Sequence, residues 1–329
     1  MNKLQSQLFL NYVSAFSGYG YTTKAPAIAS PGVGDYLCMH HVLLSNAAVY
    51  HMYKEKYFPK QQGQVGICLN SGFSYPDEGV DPMYADKAVE FELGKFSNAI
   101  FSKKGGYPQV MIDEIARKSA AEGRPWSRLP TFTDEQRKFV RGSADFLALN
   151  YYSSRLAKPR VEDPNVPISW WADTNLDGIV DPSWKRAKSE WLFSVPEGLR
   201  DLLKWIKNRY DNPMVMITEN GWSDEGEIED EGRVDYLKAH LSALANAVNV
   251  DNCNVVAYTV WSLTDNFEWK QGYSERFGIH YIDFDSKDKT RVPKKSAGFF
   301  KDFMKTKRFE YEEPKSSKKV LMNPRIQNY

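Results

Sequence analysis

A glutamate at the end of an apolar run is the first feature of this sequence that could carry chemistry. Glu219 follows the apolar residues 214–217 and Thr218, and the stretch is bracketed by Pro213 and Gly221. A short, continuous apolar run of this kind is typical of a strand buried on both faces. Because burying an unpaired charge is unfavourable, the carboxylate is expected where the strand ends and a site begins. In parallel α/β proteins, active sites lie at the ends of strands. The alternative is a surface glutamate in a strand-to-loop turn.

A second block of residues sets two tryptophans around another glutamate. Residues 255–260 form a further apolar run, and Trp261, Glu268 and Trp269 follow it. A pyranose has a face of C–H groups that stacks on an aromatic ring, and its hydroxyls bond to carboxylates and indole N–H groups. The block therefore indicates sugar binding, although either tryptophan alone would be interpreted as an ordinary core aromatic.

Together the two blocks resemble glycoside hydrolase family 1, the β-glucosidase, lactase and myrosinase family of retaining enzymes. Other stretches match the family in the same order along the chain. They are Gly18-Tyr19-Gly20 with Ala25-Pro26, and residues 66–70, 129–133, 145–154, 272–273 and 276–278. The resemblance therefore covers most of the chain, and motifs in family order make it specific.

The resemblance implies a double-displacement mechanism, in which two carboxyl groups about 5–5.5 Å apart serve as nucleophile and as acid/base. It implies that Glu219 is the nucleophile and that the hydroxyl of Tyr152 supports it. Without the family match, Tyr152 would suit the edge of a core equally well. The residues implied to bind the substrate are Asn150, Trp261 as a stacking platform, Glu268 as a bidentate partner of two sugar hydroxyls, and Trp269 as an indole donor.

The acid/base is missing from the place where the family has it. An asparagine-glutamate-proline segment is expected shortly before Gly18, but Tyr12 and Val13 follow Asn11, and no Asp or Glu precedes Asp35. The predicted fold is therefore an α/β fold, an incomplete TIM (β/α)8 barrel that contains about the last four β/α units. Residues 1–305 would be the partial catalytic domain and residues 306–329 a charged tail.

The elements that would position these residues alternate between strands and helices, which indicates a parallel sheet. Strands are predicted at 64–70, 145–150, 214–217 and 254–260, and helices near 81–100, 108–121, 133–142, 237–248 and 293–305. Asp35 is predicted to cap a further helix that carries Leu37. Ser194 and Glu197 are predicted to form the capping box of another helix, which follows them. Residues 155–190 lack a sustained period and are predicted to form a long loop.

Composition excludes several classes of function. A net charge of +1 gives no support for nucleic acid or an anionic membrane as partner. No apolar run approaches the roughly 20 residues of a transmembrane helix. Cys38, Cys68 and Cys253 are too far apart to suggest disulfides or a zinc site, so no metal or cofactor is expected. Polar residues interrupt the mildly apolar stretch 8–16, so this stretch is not interpreted as a signal peptide. The sequence does not define the cellular compartment.

Two classes of function remain. The first is hydrolysis of small-molecule β-glycosides, and the second is a non-catalytic remnant that keeps a partial sugar site. An acid/base segment upstream of residue 1 would favour the first. Half a barrel would also expose the edges of its first and last strands, which predicts self-association.

Overall fold

The structure is a computed structural model that describes residues 19–20, 27–163 and 165–311. The segment around Asn11, the motif residues Gly18, Ala25 and Pro26, and residues 312–329 of the predicted tail lie outside the described residues.

The elements of the described residues agree with most of the predicted ones. The helices are α1 (Gly34–Lys56), α2 (Phe58–Gln61), α3 (Met83–Val89), α4 (Lys95–Phe101), α5 (Gln109–Ala121), α6 (Asp134–Val140), α7 (Trp170–Thr174), α8 (Pro196–Tyr210), α9 (Glu231–Asn249) and α10 (Lys295–Thr306). The strands are β1 (Gly66–Asn70), β2 (Ser74–Pro76), β3 (Phe146–Asn150), β4 (Arg155–Pro159), β5 (Leu176–Ile179), β6 (Val215–Glu219), β7 (Val255–Tyr258), β8 (His280–Ile282) and β9 (Arg291–Pro293). A π-helical turn joins α3 to α4, and a 3₁₀ turn spans Trp269–Gln271.

A parallel sheet with the strand order β1-β3-β6-β7 forms the centre of the fold. Helices lie between successive strands of this sheet along the chain, so the predicted strand–helix alternation is confirmed. In the part of the chain that the structure describes, β1 and β7 each pair with one neighbour, and the sheet is not closed.

The two faces of this sheet are different. On one face, Ile67, Leu149, Val215 and Ile217 are nearly or fully buried in the main core against the helices. On the other face, Cys68 packs in a smaller cluster with neighbouring side chains of β3 and β6. The alternation follows from strand geometry, because successive side chains point to opposite faces. The larger core fixes the position of the strands, and their carboxyl ends are left free to carry a site.

The prediction of a long loop at 155–190 is wrong. This stretch contains β4, α7 and β5, and β4 pairs in parallel with β2 and antiparallel with β5. Each of these elements is only four or five residues long. Such short elements give no sustained hydrophobic period, and β4 and β5 are stabilised by pairing with other strands.

Both predicted helix caps are also wrong. Helix α1 begins at Gly34, and Asp35 lies inside its first turn, where its carboxylate accepts hydrogen bonds from the backbone N–H groups of Gly32 and Tyr36. The side of α1 that carries Leu37 faces solvent, since Leu37 is 45% exposed. Helix α8 begins at Pro196, and no side chain caps it. Local pattern alone did not locate these helix starts.

Candidate active site

The carboxyl ends of β1, β3 and β6 bring Asn70, Asn150 and Glu219 to one edge of the sheet. Asn70 lies beside Asn150 in the β1–β3 register, and Asn150 lies beside Glu219 in the β3–β6 register. A register shift occurs between Leu149 and Asn150, at the point where the site begins. Irregularities of this kind are common next to active sites, where they re-aim a side chain.

Glu219 is the last residue of β6 and is 9% exposed. The hydroxyl of Tyr152 donates a hydrogen bond of 2.6 Å to Oε2 of Glu219. Tyr152 comes two residues after the end of β3, and the backbone N–H of Tyr151 donates to the carbonyl of Glu219. The main chain therefore holds Tyr152 within reach of the carboxylate.

Burial raises the pKa of Glu219 to about 7, and the nearby charge of Glu268 adds to the rise. The hydrogen bond from Tyr152 and the nearby amide of Asn150 act in the opposite direction. Burial and the charge of Glu219 raise the pKa of Tyr152 well above its usual value, so this phenol stays a protonated donor. Burial of Glu219 therefore favours its protonated form more than in a free glutamate.

Asn220 connects Glu219 to three neighbouring elements, a role that sequence reasoning missed. Its Nδ2 donates to the carbonyl of Tyr151 and to the hydroxyl of Tyr236, both at 2.9 Å. Its Oδ1 accepts a hydrogen bond of 2.8 Å from the hydroxyl of Tyr258. Tyr236 in turn donates to the carbonyl of Tyr152 at 2.7 Å. No local pattern marks Tyr236, which lies in α9. We call Asn150, Tyr152, Glu219 and Asn220 the strand-end cluster.

Residues 261–273, which we call the aromatic loop, carry the other predicted site residues. The loop starts beside the strand-end cluster, where the backbone N–H of Trp261 donates to the carbonyl of Asn220 at 2.9 Å. A Cβ atom on Gly221 would lie 1.8 Å from the carbonyl oxygen of Trp261, so glycine is required for this approach. Farther along the loop, Leu263 and Phe267 are each 66% exposed. The loop is thus closely packed at its start and open to solvent beyond.

A buried ion network anchors the aromatic loop. The network consists of Asp224, Asp230, Arg233, Asp265, Arg276 and Lys294. Within the loop, Asp265 accepts from the backbone N–H of Gly278 at 3.0 Å and pairs with Lys294 and Arg276. Lys294 also pairs with Asp224, and its side chain has no exposed surface. Three acidic and three basic side chains balance each other, which a buried group of charges requires. No sequence pattern marked this network.

A cavity of about 290 Å³ opens beside the strand-end cluster. Its lining includes Asn70 and Tyr152 from the strand ends, together with the aromatic side chains of Phe73, Trp170 and Trp191. A concave space that combines aromatic side chains with polar groups is typical of a small-molecule site.

The structure brings the predicted site residues to one region with different degrees of contact. Tyr152 and Glu219 are directly hydrogen bonded. The charge of Glu268 is close enough to raise the pKa of both of them. Trp261 packs against the buried cluster that also contacts Tyr152, and Trp269 is 43% exposed.

Among residues 27–163 and 165–311, no group of three or more His, Cys, Asp or Glu side chains could hold a metal ion. None of the helices described is long and apolar enough to cross a bilayer.

Comparison with protein families and known proteins gives one consistent result. The sequence pattern of glycosyl hydrolase family 1 matches residues 8–309. The chain is 40% identical over 298 residues to myrosinase 1 of Brevicoryne brassicae, covering 89% of this chain and 63% of that protein. It is 38% identical over 292 residues to human cytosolic β-glucosidase, covering 87% of this chain and 61% of that protein.

Solved structures agree with the sequence comparison. Aphid myrosinase superposes with a TM-score of 0.82 at 39% identity, over 90% of this chain and 63% of that one. A rice β-glucosidase superposes with a TM-score of 0.80 at 32% identity, over 88% of this chain and 64% of that one. The chain therefore has the α/β fold of these proteins and spans somewhat less than two thirds of their length.

Proposed function

The chain belongs to glycosyl hydrolase family 1, and from this we propose that it acts in hydrolysing β-glucosides, with Glu219 as nucleophile. The observation that carries the proposal is the buried Glu219 carboxylate at a strand end, with the Tyr152 hydroxyl 2.6 Å away. A hydroxyl donor at this distance orients the carboxylate and favours its ionised form.

In the proposed reaction, an oxygen of Glu219 bonds to the anomeric carbon as the bond from that carbon to the leaving oxygen breaks. An acid protonates the leaving oxygen. A water molecule then attacks the anomeric carbon of the glycosyl–enzyme ester and gives a proton to the conjugate base of that acid. This step releases Glu219, with net retention of configuration.

Sugar recognition is assigned to the aromatic loop. Trp261 would stack on the sugar ring, Trp269 would donate its indole N–H, and Glu268 would accept bonds from two hydroxyls. The influence of Glu268 on the pKa of Glu219 supports this, because both carboxylates must reach the same sugar. The leaving group would occupy the cavity of about 290 Å³ beside Tyr152. Asn150, expected to bind substrate, has no exposed surface, and a different role is argued for it below.

We further propose that the four strands of the sheet are the last four of a (β/α)8 barrel and that this chain hydrolyses ordinary glucosides poorly. The family's acid/base glutamate has no counterpart between residues 1 and 34, where no acidic residue occurs. A general acid contributes about 10²–10⁴ in rate. A nitrophenolate leaving group needs no proton and would suffer least.

Covalent trapping tests the nucleophile separately from the acid. The chain would be incubated with a dinitrophenyl 2-deoxy-2-fluoro-β-glucoside, whose leaving group departs without protonation. We expect intact-mass analysis to show one added fluoroglucosyl group and peptide mapping to assign it to Glu219. Glu219→Gln is the matched control and should remain unlabelled. Labelling of another residue would contradict the assignment.

One observation favours the alternative, a sugar-binding protein without catalysis. Burial raises the pKa of Glu219 and so favours its protonated form, and a protonated carboxyl is a poor nucleophile. If the fluoroglucoside protects the chain against thermal unfolding but never labels it, even above pH 8, the non-catalytic function is the correct one.

A further inference from the structure

Two donors converge on the side-chain oxygen of Asn150. Thr218, the residue before Glu219, donates its hydroxyl to Oδ1 of Asn150 at 2.6 Å, and the thiol of Cys68 donates to the same oxygen at 3.4 Å. Burial raises the pKa of the Cys68 thiol to about 12, so it stays protonated and remains a donor. These contacts from β1 and β6 fix which end of the amide faces which neighbour.

With its oxygen held in this way, Asn150 turns its NH₂ group towards Glu219. The amide of Asn150 opposes the rise in the pKa of Glu219, as a donor near the carboxylate should. Its Nδ2 is nevertheless buried without a fully formed hydrogen bond among the described residues. The reverse orientation would set the amide oxygen against the carboxylate, and two acceptors facing each other would repel. The NH₂ group therefore has no hydrogen-bond partner among the described residues, yet it lies close enough to Glu219 to lower the pKa of the carboxyl.

We propose that Asn150 is a positioning residue that donates Nδ2–H to Glu219 when this carboxylate is ionised, and that Thr218 and Cys68 act through Asn150 by fixing its amide. The proposal rests on the nucleophile role given to Glu219 above. Catalytic hydrogen bonds are often long in the free enzyme and shorten when charge develops. Glu219 would then have two donors, the phenol of Tyr152 and the amide of Asn150.

The other titratable groups that face Glu219 cannot supply this second bond. Tyr152, which follows β3, already donates to Oε2 of Glu219. Glu268 from the aromatic loop bears a like charge, and the Cys68 thiol from β1 is engaged with Asn150 and Thr218. Among the described side chains around Glu219, the amide of Asn150 is the one suited to respond to its ionisation.

The test follows the amide directly by NMR on the whole chain, labelled with ¹⁵N-asparagine and with ¹³C at the glutamate carboxyl. As pH rises, the Nδ2 protons of Asn150 should shift downfield with the same midpoint as the Glu219 carboxyl. In Glu219→Gln this pH-dependent shift should vanish. If the Nδ2 resonances of Asn150 do not change while Glu219 titrates, the proposal is overturned.

Substitution of Thr218 gives a second, independent measurement. Thr218→Val keeps the shape but loses the hydroxyl, and it should raise the pKa of Glu219 by about one pH unit, because a hydrogen bond to the charged form is weakened. Thr218→Ser keeps the hydroxyl and should restore the wild-type value. Equal pKa values in folded Thr218→Val and wild type would overturn the roles of Thr218 and Asn150. If Thr218→Val does not fold, the wild-type and Glu219→Gln titrations decide.

These measurements need no turnover, so they separate this inference from the proposed function. If the Asn150 amide titrates with Glu219 but the fluoroglucoside never labels the chain, the hydrogen bond is supported and the nucleophile role of Glu219 is ruled out. If Glu219 is labelled but the resonances of the Asn150 amide do not change with pH, the nucleophile role is supported and the hydrogen bond is ruled out.

Discussion

The strand-end cluster and the aromatic loop differ in what holds them. Residues of the strand-end cluster are positioned by the sheet register and by hydrogen bonds between buried atoms, as the contacts of Asn220 illustrate. The aromatic loop is fixed at its start and at Asp265, whereas Phe267 and Trp269 are 66% and 43% exposed. The sheet within this chain thus positions the proposed nucleophile, and the surface proposed to recognise the sugar depends far less on the sheet.

The largest effect is expected where the two regions meet, at Gly221. Gly221→Ala would push a methyl group into the backbone carbonyl of Trp261, which cannot move without displacing Asn220 as well. We expect a loss of about 4 kcal/mol or more in the free energy of unfolding, measured by urea denaturation. Gly298→Ala is the control, because a Cβ there meets no atom within 4 Å in α10. It should stabilise by about 0.5–1 kcal/mol. Equal effects of the two substitutions would contradict the close approach.

The next largest effect is expected for the buried ion network that anchors the aromatic loop, compared with an ion pair on the surface. Lys294→Met leaves Asp224 and Asp265 short of a buried cation and should destabilise by about 3 kcal/mol. The neighbouring Lys295 is 45% exposed and pairs with exposed glutamates. Lys295→Met should therefore leave the urea midpoint unchanged. A Lys294→Met protein as stable as wild type would mean that the ion network does not hold the loop.

A third prediction concerns the energetic consequence of burying Glu219. Its pKa is raised from 4.5 to about 7, so the folded state binds the proton more tightly than the unfolded state does. This contribution to stability is fully present below pH 4.5 and is lost as pH rises to about 7. Glu219→Gln should therefore stabilise the chain by about 2–3 kcal/mol at pH 8 and hardly at all at pH 4. Thermal melts at both pH values provide the measurement, and an equal change at both would contradict it.

The smallest effect on stability is expected at β7, which pairs only with β6 among the described residues, and a change in association is expected there instead. Val256 lies on this strand and is 51% exposed. An apolar strand edge favours pairing with another chain, and a lysine there opposes it. We expect sedimentation velocity to show self-association of the wild type and less of it for Val256→Lys. Val250→Lys, at a 62% exposed position after α9, should associate as the wild type does. A monodisperse wild-type monomer would count against the exposed edge.

The difference between the two regions also explains which site residues could be predicted from the sequence. Glu219 was predicted because it follows a short apolar strand, and the end of a strand is a local signal, whereas the role of Tyr152 was implied by the resemblance to the family. Asn220 stands in the same motif, but its partners Tyr236 and Tyr258 lie 16 and 38 residues away. Which buried polar groups satisfy one another depends on three-dimensional contacts that no local period encodes.

The same reason accounts for the errors in the fold. Residues 155–190 were predicted to be a loop because β4 and β5 are too short for a period, yet each is paired. The capping role predicted for Ser194 failed because α8 begins at Pro196, where the fixed backbone angle of proline suits a first turn. Long elements with one apolar face, such as α8 itself, were predicted correctly.

The ion network gives the aromatic loop a different response to heat from that of the sheet. Water orders itself around free ions, so hydrating a charge becomes less favourable as temperature rises, and the penalty for keeping Arg233 and Lys294 dry shrinks. Apolar packing, which holds the strands, gains no comparable advantage. On warming, the part of the loop nearest Asp265 should therefore be among the last to loosen, and opening would begin in the sheet that carries the glutamate.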